Sequence, residues 1–156
     1  MEAFNEIFSN TGESLILNLM KVNGRNGLEK IKEIVIQNSK NSIIQFSRSG
    51  KYFGLFINDN KNFEVYDATD IDRCFKDIDQ GKPVMKLEVQ ENDGTFEASS
   101  LIFDKSDKYV LLASKEQILI YSLMPESIGQ IVKNYTIDPE KYSVIHDIIL
   151  DSDLDR

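Results

Sequence analysis

The sequence contains few of the side chains that metal sites and covalent catalysis require. Among its 156 residues there is one cysteine, Cys74, one histidine, His146, and no tryptophan. A single cysteine excludes an internal disulfide and a multi-cysteine zinc site, and a single histidine removes most metal and triad chemistry. Apolar runs such as Leu15–Leu17 are far shorter than the roughly 20 residues of a membrane-spanning helix. We therefore expect neither a transmembrane segment nor enzymatic activity.

Basic residues are also scarce. The chain has 18 Lys and Arg against 26 Asp and Glu, a formal net charge of -8. That balance argues against binding of nucleic acid or an anionic membrane through the chain's own positive field, since phosphate neutralisation needs clustered Lys and Arg. Residues 1–6 carry acids rather than a basic and apolar leader, so we expect an intracellular protein of the nucleus or the cytoplasm. The 41% apolar content is enough for the core of one domain.

A phenylalanine-led turn recurs along the chain. Phe8–Gly12 reappears as Phe46–Gly50 and, more loosely, as Phe103–Asp107, and the same Lys-Tyr pair follows the second and third copies. A fourth start is suggested near Leu150. In each full copy, runs rich in β-branched and aromatic residues surround polar turns, which predicts antiparallel strands. The predicted strands are 42–46, 52–57 and 63–66 in one copy and 100–103, 109–113 and 118–121 in the other.

Two runs between the copies are candidates for fourth strands, 31–36 and 85–90. The first also fits one face of a helix, but its β-branched residues favour a strand. Residues 67–82 are rich in aspartate, and we interpret them as a solvated insertion with a helical turn around 71–78. Gly24–Gly27 lacks the strand-to-helix context of a phosphate loop, so a hairpin turn is the better interpretation.

Four-stranded units with short turns and a repeat of roughly 40 to 55 residues are typical of propeller blades. The motif resembles the WD40 repeat, with Tyr66-Asp67 and Tyr121-Ser122 standing where that family has Trp-Asp. The chain lacks Trp and the Gly-His dipeptide, so the buried hydrogen-bond network of the family cannot form. Cohesion would instead come from apolar packing of Phe46, Phe103, Tyr66 and Tyr121.

The resemblance implies an all-β fold, made of antiparallel four-stranded blades of an incomplete WD40-like β-propeller. We expect one partial domain over 1–156, with units near 4–40, 41–97 and 98–142 and the start of a fourth at 143–156. About three units cannot close a ring that needs four to eight blades. The chain is therefore expected to be the amino-terminal portion of a longer propeller.

Within WD40-like proteins, the chain resembles the family of non-catalytic WD-repeat subunits of tRNA (guanine-N7) methyltransferase. The stretches that carry this resemblance are 46–53 with Lys61, then 101–103 with 111–113 and 121–122, and finally 143–148. The family's Ala-Asp-Lys-x-Gly-Asp segment is reduced at 113–117, its Gly-His is replaced at 141–142, and its methyltransferase-contacting stretch would lie beyond Arg156. The resemblance implies a non-enzymatic scaffold that positions a catalytic methyltransferase subunit and meets tRNA only indirectly.

Two other functions remain open. The chain could be a general WD40-like interaction module in another intracellular complex. It could also be a small standalone β domain with a ligand cleft, and so an uncharacterised enzyme. Hairpin tips are polar and are carried by a rigid sheet, which is where interaction residues often lie. We therefore predict Asp59, Asn60, Lys61 and Lys115 as partner contacts.

Two groups of residues resemble a catalytic or metal-binding motif but do not meet its requirements. Ser143, His146 and Asp147 would alternate faces on a strand, so His146 and Asp147 could not act as base and orienting acid. Asp151-x-Asp153-x-Asp155 copies the start of a calcium loop, but the sixth position is not glycine. We predict no catalytic, cofactor or metal site.

Three further features favour structural roles. The acidic residues of the insertion indicate a solvated loop more than a docking surface for a basic partner; they are Asp67, Asp70, Asp72, Asp77 and Asp79. Cys74 lies between basic residues that could lower its pKa, yet an ordinary free cysteine is the better interpretation. An aromatic stripe could stack nucleic-acid bases, but strand alternation favours core packing; its members are Tyr52, Phe53, Phe56, Phe63 and Tyr66.

Overall fold

The computed structural model describes residues 2–8, 14–24, 27–37, 41–89 and 96–137, which form eleven strands, one helix and three antiparallel sheets. The first sheet contains β1 (Glu2–Phe8), β2 (Ser14–Asn23) and β3 (Gly27–Gln37). The central sheet contains β4 (Ser42–Phe46), β5 (Tyr52–Ile57), β6 (Asn62–Asp67) and β7 (Met85–Glu88), with α1 (Ile71–Gln80) between β6 and β7. The third sheet contains β8 (Ser100–Phe103), β9 (Tyr109–Ala113), β10 (Gln117–Ser122) and β11 (Ile131–Thr136). Each sheet follows chain order, so the fold of antiparallel four-stranded units is confirmed for the central and third sheets.

Two details of the strand predictions differ from the structure. The run 31–36 is a strand rather than a helix, but it belongs to β3, the third strand of a sheet that has three described strands. No pattern in the sequence predicted β11, whose six side chains are all exposed and therefore show no alternation. The predicted start of a fourth unit at 143–156 lies outside the described residues.

The phenylalanines that lead the three copies of the motif occupy equivalent places in their sheets. Phe8, Phe46 and Phe103 each end the first strand of their sheet. Each is paired across the hairpin with the residue seven positions further along: Phe8 with Leu15, Phe46 with Phe53, and Phe103 with Val110. The repeat read from the sequence is therefore a structural repeat.

The second and third turns also share their hydrogen bonds. The N–H of Gly50 donates to the carbonyl oxygen of Ser47 at 3.0 Å, and the N–H of Asp107 donates to that of Asp104 at 3.0 Å. Both closing residues are left-handed, with φ of 76° at Gly50 and 61° at Asp107. Glycine adopts this region without steric cost and aspartate tolerates it, which explains how one turn geometry accommodates both sequences.

The central sheet packs on both sides because its strands alternate faces. One face packs against β2 and α1, and the other packs against the third sheet. Residues of the first face include Phe53, Leu55 and Tyr66, and those of the second include Phe56, Phe63 and Val65. The aromatic stripe is thus core, as predicted, with Tyr52 at its partly buried end.

The backbone of Gly54 lies close to side chains of the third sheet. A Cβ atom at this position would lie 3.0 Å from Cδ2 of Leu101 and 3.0 Å from Cζ of Phe103. Glycine leaves the space that the side chains of β8 fill. Blade-to-blade cohesion rests on such apolar contacts, for instance the edge-to-face pair of Phe63 and Tyr121 with ring centroids 5.8 Å apart.

The helical turn predicted around 71–78 is confirmed as the ten-residue helix α1, but the interpretation of 67–82 as solvated is wrong in part, because one face of this helix is buried. Asp70 caps the first turn, accepting from the N–H groups of Asp72 and Arg73, and Gly81 ends the helix with φ of 65°. The helix is held by its buried side chains, which are Cys74, Phe75 and Ile78. No helix in the part of the chain described here is long and apolar enough to cross a membrane.

Candidate functional site

The four predicted contact residues lie on one edge of the central and third sheets. Asp59, Asn60 and Lys61 are in the β5–β6 turn, and Lys115 is in the β9–β10 turn. Since β7 returns to the same end, the segment 96–99 that leads into β8 runs between these turns. We call the β5–β6 turn, the β9–β10 turn and segment 96–99 together the cleft edge.

Asn58 fastens segment 96–99 to the central sheet. Its Nδ2 donates to the carbonyl oxygens of Asn41 at 2.8 Å and Ala98 at 3.1 Å, and its Oδ1 accepts from the N–H of Ala98 at 2.8 Å. The side chain is 6% exposed. A buried amide with these three bonds satisfies the polar backbone of a segment that belongs to no strand. Because Ala98 is 40 residues away, the sequence around Asn58 carries no signal of this role.

Lys61 also attaches the segment before β8 to the central sheet by hydrogen bonds. Its Nζ donates to the carbonyl oxygen of Phe96, and its own carbonyl oxygen accepts from the N–H of Val89 at 2.8 Å. It is half-buried and left-handed, with φ of 57°. Its ammonium group therefore holds the cleft edge together. The side chains of Asp59 and Asn60, by contrast, are exposed at the tip.

A cleft of about 460 Å³ opens on this edge between segment 96–99 and the β9–β10 turn. Ser114 shapes the turn, because its Oγ accepts from the N–H groups of Glu116 at 3.3 Å and Gln117 at 3.0 Å. Lys115 and Glu116 are exposed at the tip, and Glu97 is exposed on the opposite wall. The lining residues are 96–99 and 114–117.

A second, smaller groove of about 350 Å³ runs between the first strands of the central and third sheets, β4 and β8. It is lined by Gln45, Arg48 and Ser100 together with apolar side chains such as Ile43 and Ile102. This groove extends along both strands, from Ser99 at the cleft edge to Arg48 in the β4–β5 turn at the opposite edge. None of the predicted contact residues lines it.

Among the residues that the structure describes, the titratable groups with raised pKa values belong to the structural core. Burial, followed by the charge of Asp77, raises the pKa of the Cys74 thiol to about 12. Burial likewise raises the pKa of Tyr121 to about 12 and, together with Glu64, raises that of Tyr66. Cys74 is buried and its pKa is raised, which favours the interpretation of an ordinary free cysteine.

The acidic residues of the insertion have mostly local roles. Hydrogen bonds from Thr69 hold the pKa of Asp67 below its usual value, and the N–H of Thr69 is 2.9 Å from Oδ1 of Asp67. Asp70 caps α1, and Oδ2 of Asp79 lies 3.9 Å from Nζ of Lys32 on β3. Within the described ranges no three His, Cys, Asp or Glu side chains are grouped as metal ligands would be. Ser143, His146, Asp147 and the acidic residues 151–155 lie outside those ranges.

Comparisons with known proteins identify the fold. No family model matches the sequence, and no curated protein matches it. Among solved structures, the chain is similar to Sqt1 of Chaetomium thermophilum, with 15% identity, a TM-score of 0.56 and coverage of 86% of this chain and 36% of that one. It is also similar to the periplasmic gluconolactonase PpgL of Pseudomonas aeruginosa, with 18% identity, a TM-score of 0.52 and coverage of 86% and 38%. The chain thus spans well under half the length of these proteins, and its sheets match part of a β-propeller.

Proposed function

We propose that the chain is a non-catalytic WD40-like interaction module that binds a protein partner at the cleft edge. The observation that carries this proposal is the double attachment of segment 96–99. Asn58 bonds both polar backbone groups of Ala98, and Lys61 bonds the carbonyl oxygen of Phe96. Binding costs less when the receiving surface is already ordered, so a segment fixed in this way is suited to docking.

The chemistry of the cleft favours a polypeptide partner. Its walls combine hydroxyl groups of Ser99 and Ser114 with charges of both signs, from Glu97, Lys115 and Glu116. A surface of mixed charge complements polar and charged side chains on a partner and has no single-sign field to attract nucleic acid. The net charge of -8 has the same consequence for the whole chain.

The exposed residues at the turn tips and the residues that hold segment 96–99 in place have different roles in this proposal. Asp59, Asn60 and Lys115 are exposed and would contact the partner directly. Lys61 would act through the position of segment 96–99 and would not itself contact the partner. The narrower hypothesis is that the partner is the catalytic subunit of a tRNA (guanine-N7) methyltransferase. It rests on the sequence resemblance, and the β4–β5 turn that carries part of that resemblance lies on the opposite edge.

Site-specific photo-crosslinking in the source cell tests the proposal. A photoreactive residue replaces Lys115 on the cleft edge or, as a matched control, Lys105 on the opposite edge; both lysines are exposed turn residues. We expect a crosslinked protein from position 115 and little from position 105. Identification of that protein as a methyltransferase with bound tRNA would select the narrower hypothesis. Equal crosslinking from both positions, or none from position 115, would contradict docking at the cleft edge.

A further inference from the structure

The last described strand of the third sheet presents an exposed edge. All six side chains of β11 are exposed, including Ile131 at 53%, Val132 at 36% and Tyr135 at 43%. Among the described strands β11 ends its sheet, at the side away from β8, and β8 is the strand that lies beside β4 of the central sheet. The edge of β11 therefore does not take part in stacking between sheets.

The last described strands of the other two sheets, β3 and β7, are protected against edge pairing, unlike β11. Strand β3 has a register shift at Ile31 and carries four charged side chains, which are Glu29, Lys30, Lys32 and Glu33. Strand β7 is four residues long and carries Lys86 and Glu88. Short length, charges and bulges are the usual devices that block association of sheet edges. Strand β11 has a single charged residue, Lys133, and a bulge only at its beginning.

The backbone of β11 shows which groups point outward. The N–H of Ile137 donates to the carbonyl oxygen of Glu116 at 2.7 Å, so Ile137 is bonded toward β10. Bonding directions alternate along an antiparallel strand, and so Tyr135 and Lys133 also bond toward β10. The N–H and C=O groups of Asn134 and Thr136 consequently point away from the sheet and can pair with another strand.

We propose that β11 pairs with β11 of a second copy of this chain, antiparallel and about a two-fold axis through Asn134. In an antiparallel pair of identical strands, the two-fold axis passes between one residue and the same residue of the second copy. Directly opposed residues project to the same face of the sheet. Centring it on Lys133 would place two ammonium groups opposite each other, which is destabilising. Centring it on Asn134 avoids this, because each Lys133 then faces Tyr135 of the other copy.

The side chains of the proposed pair complement one another. Nζ of Lys133 already lies 6.0 Å from the ring centroid of Tyr135 within one chain, a cation–π geometry that the second copy would repeat across the two strands. Oδ1 of Asn134 accepts from Nε2 of Gln117 at 2.8 Å, which leaves the amide NH₂ of Asn134 to donate across the axis. The two four-stranded sheets would join into one continuous sheet.

A charge-exchange experiment tests this dimer. Sedimentation velocity over a range of concentrations compares the unsubstituted chain with Tyr135→Lys and with the double variant Lys133→Glu/Tyr135→Lys. The single variant places lysines opposite lysines twice, so we expect the dimer to be about tenfold weaker. The double variant creates two Glu–Lys pairs and should restore dimerisation. A chain that stays monomeric at every concentration, or a Tyr135→Lys variant that dimerises undiminished, would overturn the proposal.

Disulfide trapping tests the register independently of affinity. In the proposed register, two copies of Asn134 form a hydrogen-bonded pair with Cα atoms about 5.5 Å apart, which a disulfide can bridge. Two copies of Lys133 would be diagonal neighbours at roughly 7–8 Å, beyond easy reach. Oxidation should therefore link Asn134→Cys chains and link Lys133→Cys chains poorly. The native Cys74 is buried and does not interfere. Equal linking of both variants, or linking of Lys133→Cys alone, would overturn the register.

Discussion

Tyr52 of the central sheet stacks on Phe103 of the third sheet, with ring centroids 6.1 Å apart and planes inclined by 10°. Tyr52 belongs to the Lys-Tyr pair that follows the second phenylalanine-led turn, and Phe103 begins the third turn. The motif thus contributes to the contact between the central and third sheets, because the tyrosine after the second copy rests on the phenylalanine of the third. At this contact, stacked aromatic rings join two sheets of a chain that has no tryptophan.

We predict that Phe103→Ala destabilises the chain by about 3–5 kcal/mol, the usual cost of truncating a buried phenylalanine. The variant removes the ring that packs on Tyr52 and leaves a cavity beside Gly54. Equilibrium unfolding in urea measures the change. Lys105→Ala, two residues along and exposed, is the control and should change stability by less than about 0.5 kcal/mol. Similar losses for both variants would argue against sheet stacking through Phe103.

We also predict that Gly54→Ala is destabilising by about 1–3 kcal/mol, because its Cβ would overlap side-chain atoms of Leu101 and Phe103. Leu101→Ala removes one of the overlapping groups. The double variant should therefore be more stable than the sum of the two single effects implies, and a double-mutant cycle on unfolding free energies measures this coupling. Strictly additive effects would mean that the two sheets do not approach at this point.

Local sequence signals account for most of the fold. The hairpins of the central and third sheets were predictable because their sequence signals are local. These signals are a turn that closes on a left-handed residue and strands in which apolar and polar residues alternate. The helix α1 also had readable signals: an aspartate cap at Asp70, a glycine stop at Gly81, and buried residues at helical spacing from Cys74 to Ile78. These signals agree with the helical turn predicted around 71–78, whereas the count of aspartates suggested that the whole insertion is solvated.

Features that depend on distant contacts could not be predicted. The role of Asn58 depends on Ala98, and nothing near either residue in the sequence connects the two. Lys61 was predicted to meet a partner, yet its ammonium group bonds the carbonyl of Phe96, which a tip position does not reveal. Strand β11 is exposed on both faces, so it lacks the alternation by which half-buried strands are recognised.

Loss of the Asn58 amide should loosen the cleft edge. We predict that Asn58→Ala destabilises the chain by about 1–3 kcal/mol, since the backbone groups of Ala98 lose their partners in a buried place. Hydrogen exchange at the Ala98 amide should accelerate more than exchange in β9. The exposed neighbour serves as control, and Asn60→Ala should leave the Ala98 amide protected. Unchanged exchange at the Ala98 amide in Asn58→Ala would show that the Asn58 side chain does not hold segment 96–99.

The buried thiol predicts how stability depends on alkaline pH. Folding raises the pKa of Cys74 from 9.0 to about 12, so between these values the unfolded chain releases a proton that the folded chain retains. The contribution of the thiol to stability is therefore complete below pH 9 and declines as the pH rises toward 12. We predict that the unfolding free energy falls less steeply from pH 9 to pH 10 in Cys74→Ala than in the unsubstituted chain. Comparing slopes rather than absolute values removes the constant effect of the smaller side chain.

A thiol reagent supplies the second measurement: Cys74 should react slowly in the folded chain at pH 8 and rapidly in urea. Fast reaction without urea, or identical slopes, would mean that α1 does not keep the thiol buried.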